Sequence, residues 1–268
     1  CGANRLEGET GICGATDRLK VSSAFAHFGE EPPLVGFYGS GTIFLAHCNL
    51  RCAFCQNHDI SHGGQSAENT FISEENMADR MLGLQARGCH NINFVTPTHF
   101  APQIVSAIGI AADAGLELPI VWNCGGYESL DVIKLLDGIV DIYMPDIKFF
   151  NADSAKKYCD AEDYPEAVKE ALREMHRQVG DLSMDSRGIA QRGLLVRHLV
   201  MPNDVADTEG ILTFLASEIS KETYVNIMEQ YRPLYQAFNF EEINRRITLE
   251  EFNAAVRKAS ELGLHRGF

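Results

Sequence analysis

Apolar runs of strand length recur along the chain at residues 42–47, 91–95, 118–122, 140–144, 194–200 and 224–228. Between them the apolar positions change to helical spacing. Ser73 is placed to cap a helix whose first turn carries Glu74 and Glu75 and whose inner face holds Met77, Met81 and Leu84. Pro102 starts another, with Ile104, Val105, Ile108 and Ala112 inward and Gly115 past its end. Ser129 caps residues 130–136, Pro165 opens a long helix to Val179, and Asp207 opens one through Ile219. Thr248 and Glu251 read as the capping box of the last helix. Strands alternating with helices predict parallel pairing through crossover helices. Six strands fall short of the eight that close a full barrel. The predicted fold is therefore α/β, a partial (β/α)6 TIM-like barrel open on one side. One domain is expected over residues 33–268, with 150–193 a mostly helical insertion. Residues 1–32 are weakly periodic and are expected to form an irregular extension.

Composition narrows the function classes. At 268 residues and 45% hydrophobic, the chain can bury a core without disulfide staples. Lys plus Arg is 23 against 37 Asp plus Glu, a net charge of −14, which argues against nucleic acid as a partner. No apolar run reaches membrane-spanning length. The chain starts at Cys1 with no visible secretory signal, so a cytoplasmic location is expected.

Three of the eight cysteines crowd into one loop directly after the first strand, Cys48-Asn49-Leu50-Arg51-Cys52-Ala53-Phe54-Cys55. In a parallel sheet that loop lies at the C-terminal strand edge, where sites are built. Three thiolates in a short loop can hold a [4Fe–4S] cubane by three of its four irons, leaving the fourth open to a ligand. Two alternatives stay open. Zinc takes four ligands, and His47, His58 or His62 is near enough in sequence to be the fourth. The cysteines also fit as plain core residues.

The loop resembles that of the radical S-adenosylmethionine (radical SAM) superfamily, C-x3-C-x-aromatic-C, with Phe54 at the aromatic place. Cys55-Gln56-Asn57 is similar to the run found in pyruvate formate-lyase activating enzymes, and the resemblance extends from about Gly36 onward. The segments Cys1-Gly2-Ala3-Asn4-Arg5 and Gly11-Ile12-Cys13-Gly14 look like a subgroup of homologues of those enzymes. The resemblance implies an enzyme that binds a [4Fe–4S] cluster and S-adenosylmethionine. The cluster, held by Cys48, Cys52 and Cys55, cleaves the sulfonium to give a 5′-deoxyadenosyl radical that abstracts hydrogen. Implied partners are a flavodoxin or ferredoxin reductant and a protein substrate, such as a glycyl-radical enzyme, or a small metabolite. A non-catalytic iron–sulfur or zinc protein, or a methyl-transferring one, is the competing reading.

The same resemblance locates the remaining candidates. Where the family carries a Gly-Gly-Glu-like segment, this chain reads Thr96-Pro97-Thr98, so Thr96 and Thr98 or nearby main-chain carbonyls are expected to meet the cofactor. Asn57, Asn123, Asp146 and Lys148 join them. Positions matching Asn123, Cys124, Met144 and Asp146 form a monovalent cation site in the activating enzymes, although one acid is missing here. Arg197 and His198 interrupt an apolar strand and are both candidates to reach the ligand, and Gln230 follows the sixth strand. Cys1 and Cys13 are candidates for a second metal. Cys89 and Cys159 are expected to be idle buried thiols.

Overall fold

The six expected strands form one parallel series. In the computed structural model, which describes residues 3–62 and 70–268, β2 (Ser40–Leu45) pairs with β4 (Ile92–Val95), then β5 (Ile120–Cys124), β6 (Ile142–Pro145), β8 (Ala190–Leu199) and β9 (Tyr224–Met228) in order. Helices cover the outside: α3 (Glu74–Ala86), α4 (Ala101–Asp113), α5 (Leu130–Leu135), α7 (Tyr164–Val179) and α8 (Thr208–Phe214) are the crossovers, and α9 (Leu249–Glu261) follows β9. Parallel strands covered on both faces lose the alternating pattern and become continuously apolar. β5 and β6 are buried at every residue. Among the described residues no pairing joins β9 back to β2, so the sheet stays open.

The helix signals act as their chemistry requires. The Ser73 hydroxyl accepts from the Asn76 amide at 3.3 Å. Thr248 and Glu251 form the reciprocal capping box. The helix expected to run through Ile219 is α-helical to Phe214 and π-helical from Leu215 to Ile219.

The extension expected to be irregular is partly sheet. β1 (Lys20–His27) pairs antiparallel with β2, and the two-residue β3 (Thr70–Phe71) adds to its far edge. The signal is missing from the sequence because β1 is mostly half-buried and is built from Ser, Ala and Lys as much as from apolar residues. Leu19, Val21, Cys13 and Ala15 belong to the main core cluster, so the segment packs as part of the domain. A two-residue β7 (Ser183–Met184) pairs antiparallel with β8 beyond β6. Short α1 (Pro32–Val35) carries Leu34 into a second apolar cluster with Val121, Ile142, Met144 and Leu195. Short α2 (His58–Ser61) ends the cysteine loop. Among the described residues no helix is long and apolar enough to cross a membrane.

Candidate active site at the strand ends

A cavity of about 230 Å³ opens at the C-terminal ends of the parallel strands. The loop after β2 forms one wall and brings Cys48, Cys52, Phe54, Cys55 and Asn57 to it. Backbone bonds fix this loop. Leu50 N donates to Cys48 Sγ at 3.4 Å, and Cys55 N donates to Cys52 O at 3.2 Å. Asn49 Nδ2 ties the loop to Tyr127 O at 2.6 Å. Phe54 is buried and sets its ring against Phe149 and Tyr231 at 5.9 and 6.1 Å. Its contribution is therefore packing behind the loop as much as cavity lining.

The other strand ends supply the floor and far wall. Thr96 closes β4 in a left-handed conformation, φ 59°, and its amide donates to Asn123 O at 2.8 Å. Such a backbone is costly for a β-branched residue. Gly126, φ 78°, follows β5; a β-carbon there would collide with the Asp146 carbonyl oxygen. Asp146 directly follows β6, and its carboxylate accepts from Lys148 Nζ at 2.6 Å and Arg197 Nε at 2.8 Å. Arg197 Nη2 also donates to Asn123 Oδ1 at 2.8 Å. Asn123, Asp146, Lys148 and Arg197 thus form one connected group in the cavity wall. Gln230 sits at the exposed rim, its amide on Met228 Sδ at 3.2 Å.

Electrostatics follow from burial. Burial opposes the Asp146 charge, but Arg197 and Lys148 outweigh it and hold the carboxyl below its usual range. Burial likewise opposes Lys148, and Asp146 reverses the effect and keeps it firmly cationic. The thiols move the other way. Burial and the neighbouring Cys52 push Cys48 up to about 12. The contact with Cys159, then burial, pushes Cys52 well up, and burial raises Cys55. Lys148 is the cation that pulls all three back toward thiolate.

Two expected residues lie elsewhere. His198 is wholly buried on the opposite side of β8, with Nδ1 at 3.0 Å from Ile147 O and Nε2 at 3.0 Å from Thr208 Oγ1. Successive strand residues face opposite ways, so Arg197 inward forces His198 outward. Thr98 also misses the cavity; its hydroxyl donates to Glu128 Oε1 at 2.6 Å in a turn beside β5. Asp146 and Lys148 form a largely buried pair.

Other groups joined the site without a sequence signal. Glu30 and Glu31 come from the loop after β1 and lie 3.5 and 3.9 Å from Arg197. Burial raises the Glu30 carboxyl to about 7, although Arg197 pulls it down. Cys159, expected to be idle, has its sulfur 3.2 Å from Cys52 Sγ. Cys89 is buried, and no described cysteine is in a disulfide. Cys13 Sγ accepts from Ala15 N at 3.4 Å, and Cys1, its suggested metal partner, lies outside the described residues.

The model of the Radical SAM superfamily matches residues 42–186, more than half of the chain. This chain belongs to the radical SAM superfamily. A curated relative, an uncharacterized protein of Methanocaldococcus jannaschii, is 33% identical over 98% of this chain and 73% of its own length. Among solved structures, TYW1 with a lysine-pyruvate adduct bound is similar over 82% of this chain and 73% of that chain, with 13% identity and a TM-score of 0.52. The [FeFe]-hydrogenase maturase HydG of Carboxydothermus hydrogenoformans gives 12% identity and a TM-score of 0.57 over 83% of this chain and 51% of its own. SuiB of Streptococcus suis, bound to the precursor peptide SuiA, gives 10% and 0.53 over 83% and 46%. At such identities the likeness is one of fold.

As a radical SAM protein the chain is an enzyme that uses a [4Fe–4S] cluster and S-adenosylmethionine. The donor set fits them. Three soft thiols line one wall of a cavity whose floor carries both cations and an amide. Among the described residues no three His, Cys, Asp or Glu side chains are gathered as around a single metal ion. A cubane asks for something different, since each thiolate binds its own iron.

Proposed function

We propose that Cys48, Cys52 and Cys55 hold the cluster of this radical SAM enzyme, and that the ligand lies across the ends of β4, β5, β6 and β8 during hydrogen abstraction from a peptide segment of another protein. The carrying observation is that the three thiols share one cavity with the Asn123–Asp146–Lys148–Arg197 group. When bound, the reduced cluster supplies the electron that splits adenosylmethionine and yields the hydrogen-abstracting radical. The chain's own residues bind and orient. Lys148 and Arg197 offer cations to the methionine carboxylate, and Asp146 holds both in place. Thr96 and the main chain at the end of β4 stand where the family meets the amino group. Gly125 and Gly126 let the chain pass close beneath the ligand.

Support for a peptide substrate comes from the open sheet. Among the described residues no strand pairing closes β9 onto β2, and at that edge the segment after β9 meets the cysteine loop through Tyr231 against Phe54 and through Gln236 N donating to Ala53 O at 2.8 Å. A radical must be shielded from water, and an inserted peptide loop does so. The run Cys55-Gln56-Asn57 makes activation of a glycyl-radical enzyme the specific form, with a flavodoxin or ferredoxin as electron donor. The test is anaerobic reconstitution with iron and sulfide, reduction, and measurement of 5′-deoxyadenosine. Slow cleavage alone, accelerated by the retained protein fraction of a cell extract with growth of an organic radical signal, supports the proposal. Acceleration by the low-mass filtrate alone, with hydrogen taken from a small molecule, overturns the peptide substrate. A colourless zinc protein, or S-adenosylhomocysteine as product, overturns the reaction.

A further inference from the structure

Cys159 is the last residue of α6 (Ala152–Cys159), and that helix end is fastened to the cluster loop on both sides of Cys52. Arg51 N donates to Cys159 O at 3.1 Å, and Ala53 N donates to Tyr158 O at 2.7 Å. The helix itself is held at each end. Asn151 Oδ1 accepts from Ser154 N at 2.8 Å at its start. At its end the Tyr158 ring stacks on Phe149 at 5.6 Å and its hydroxyl donates to Glu242 Oε1 at 2.6 Å. These bonds fix Cys159 Sγ, 1% exposed, at 3.2 Å from Cys52 Sγ. That distance exceeds the roughly 2.0 Å of a disulfide and suits a thiol hydrogen bond between sulfurs.

We infer that Cys159 is a positioning residue for the cluster: its thiol donates a hydrogen bond to the Cys52 sulfur and raises the cluster's reduction potential. The inference rests on the reading that Cys52 is an iron ligand. Once bound to iron, Cys52 is a thiolate that can only accept, so Cys159 becomes the donor of the pair. A hydrogen bond to a ligating sulfur withdraws charge from it and favours the reduced cluster, which carries one more electron. The site is buried, so water does not take over this role when the thiol is removed.

The test uses the full chain and two variants, Cys159→Ala and Cys159→Ser, reconstituted anaerobically without adenosylmethionine. Iron per chain and the midpoint potential of the cluster are read by metal analysis and by redox titration followed by electron paramagnetic resonance. Both variants should keep wild-type iron. Cys159→Ala should shift the potential in the negative direction, by about 59 mV for a tenfold loss in electron affinity. Cys159→Ser, whose hydroxyl still donates, should stay near wild type. An unchanged potential in Cys159→Ala at full iron content overturns the inference. Loss of iron in both variants overturns it too, because Cys159 is then a ligand. A wild-type protein that takes up no cluster removes the reading of Cys52 itself, an outcome distinct from the other two.

Discussion

Replacing Asp146 by Asn keeps the side-chain volume and removes one charge from the centre of the site. In the native protein that carboxylate binds Arg197 Nε at 2.8 Å and Lys148 Nζ at 2.6 Å, and the three side chains are 17–19% exposed. Removing one partner of a buried ion pair costs about 3–5 kcal/mol, because the charge left behind is uncompensated. Two features bring this case to the bottom of that range or just below it. Glu30 and Glu31, 3.5 and 3.9 Å from Arg197, keep part of its compensation. Asparagine also still offers one oxygen as acceptor. The expected loss is about 2–3 kcal/mol, or about 4–12 °C in Tm for a domain of this size. Lys148→Met should cost less, since Asp146 keeps Arg197. Urea unfolding of the metal-free protein measures both variants. In the reconstituted protein, Asp146→Asn should retain wild-type iron, because Asp146 follows β6 and is not on the cysteine loop, yet bind adenosylmethionine at least tenfold more weakly. A stability loss under about 0.5 kcal/mol, or a Lys148→Met loss larger than that of Asp146→Asn, would refute the buried network as described.

Three further outcomes are expected. Cys48→Ala, Cys52→Ala and Cys55→Ala should each abolish 5′-deoxyadenosine formation while Cys89→Ala leaves it intact; full cleavage by any of the first three rules out the ligand assignment. Gly126→Ala should lose about 3 kcal/mol in urea unfolding, since a β-carbon at φ 78° would collide with the Asp146 carbonyl oxygen; a loss below 1 kcal/mol contradicts that contact. Burial raises the Glu128 carboxyl from 4.5 to about 7, so the folded protein holds a proton that the unfolded chain releases. The stability Glu128 adds is complete below pH 4.5 and disappears as pH rises through 7, so Glu128→Gln should be near neutral at pH 5 and gain on wild type by pH 8, by up to about 3 kcal/mol; a difference independent of pH between the two proteins speaks against it.

How much of this was legible depended on the physical signal each part left in the sequence. The six parallel strands and their crossover helices were legible because burial on both faces, complete in β5 and β6, leaves apolar runs, and caps such as Ser73 and Thr248 mark helix starts chemically. β1 was not, because an antiparallel strand that is mostly half-buried carries no such run. The cysteine loop was legible because its three thiols are local in sequence. Arg197 and His198 illustrate the limit: both interrupt an apolar strand, and the sequence holds no mark of which one faces in. Pairing of β8 with β6 and β9 decides it, together with Asp146 as the waiting partner. Glu30, Glu31 and Cys159 reach the site from a loop and a helix end that are remote in sequence from what they touch. Single-chain patterns carry no trace of such contacts.

The order of the strands also orders the chemistry across the cavity. β2 delivers the sulfurs, β4 a strained turn, β5 an amide and two glycines, β6 the carboxylate and ammonium, and β8 the guanidinium followed by the apolar Leu199 and Met201. β9 closes the series with Met228 and Gln230 at the rim. Charge is therefore concentrated in the middle, on β6 and β8, with soft sulfur on one side and apolar surface on the other. A ligand with a charged amino-acid end and a flat apolar end matches that gradient in one orientation. Reversing it would set an apolar ring on the Asp146–Lys148–Arg197 group and leave the carboxylate against Met201 and Met228, an arrangement that costs the desolvation of four charges without repayment. For the proposed site, orientation would thus follow from topology. Neighbouring strands end in different chemistry, and the parallel pairing fixes which neighbours they are.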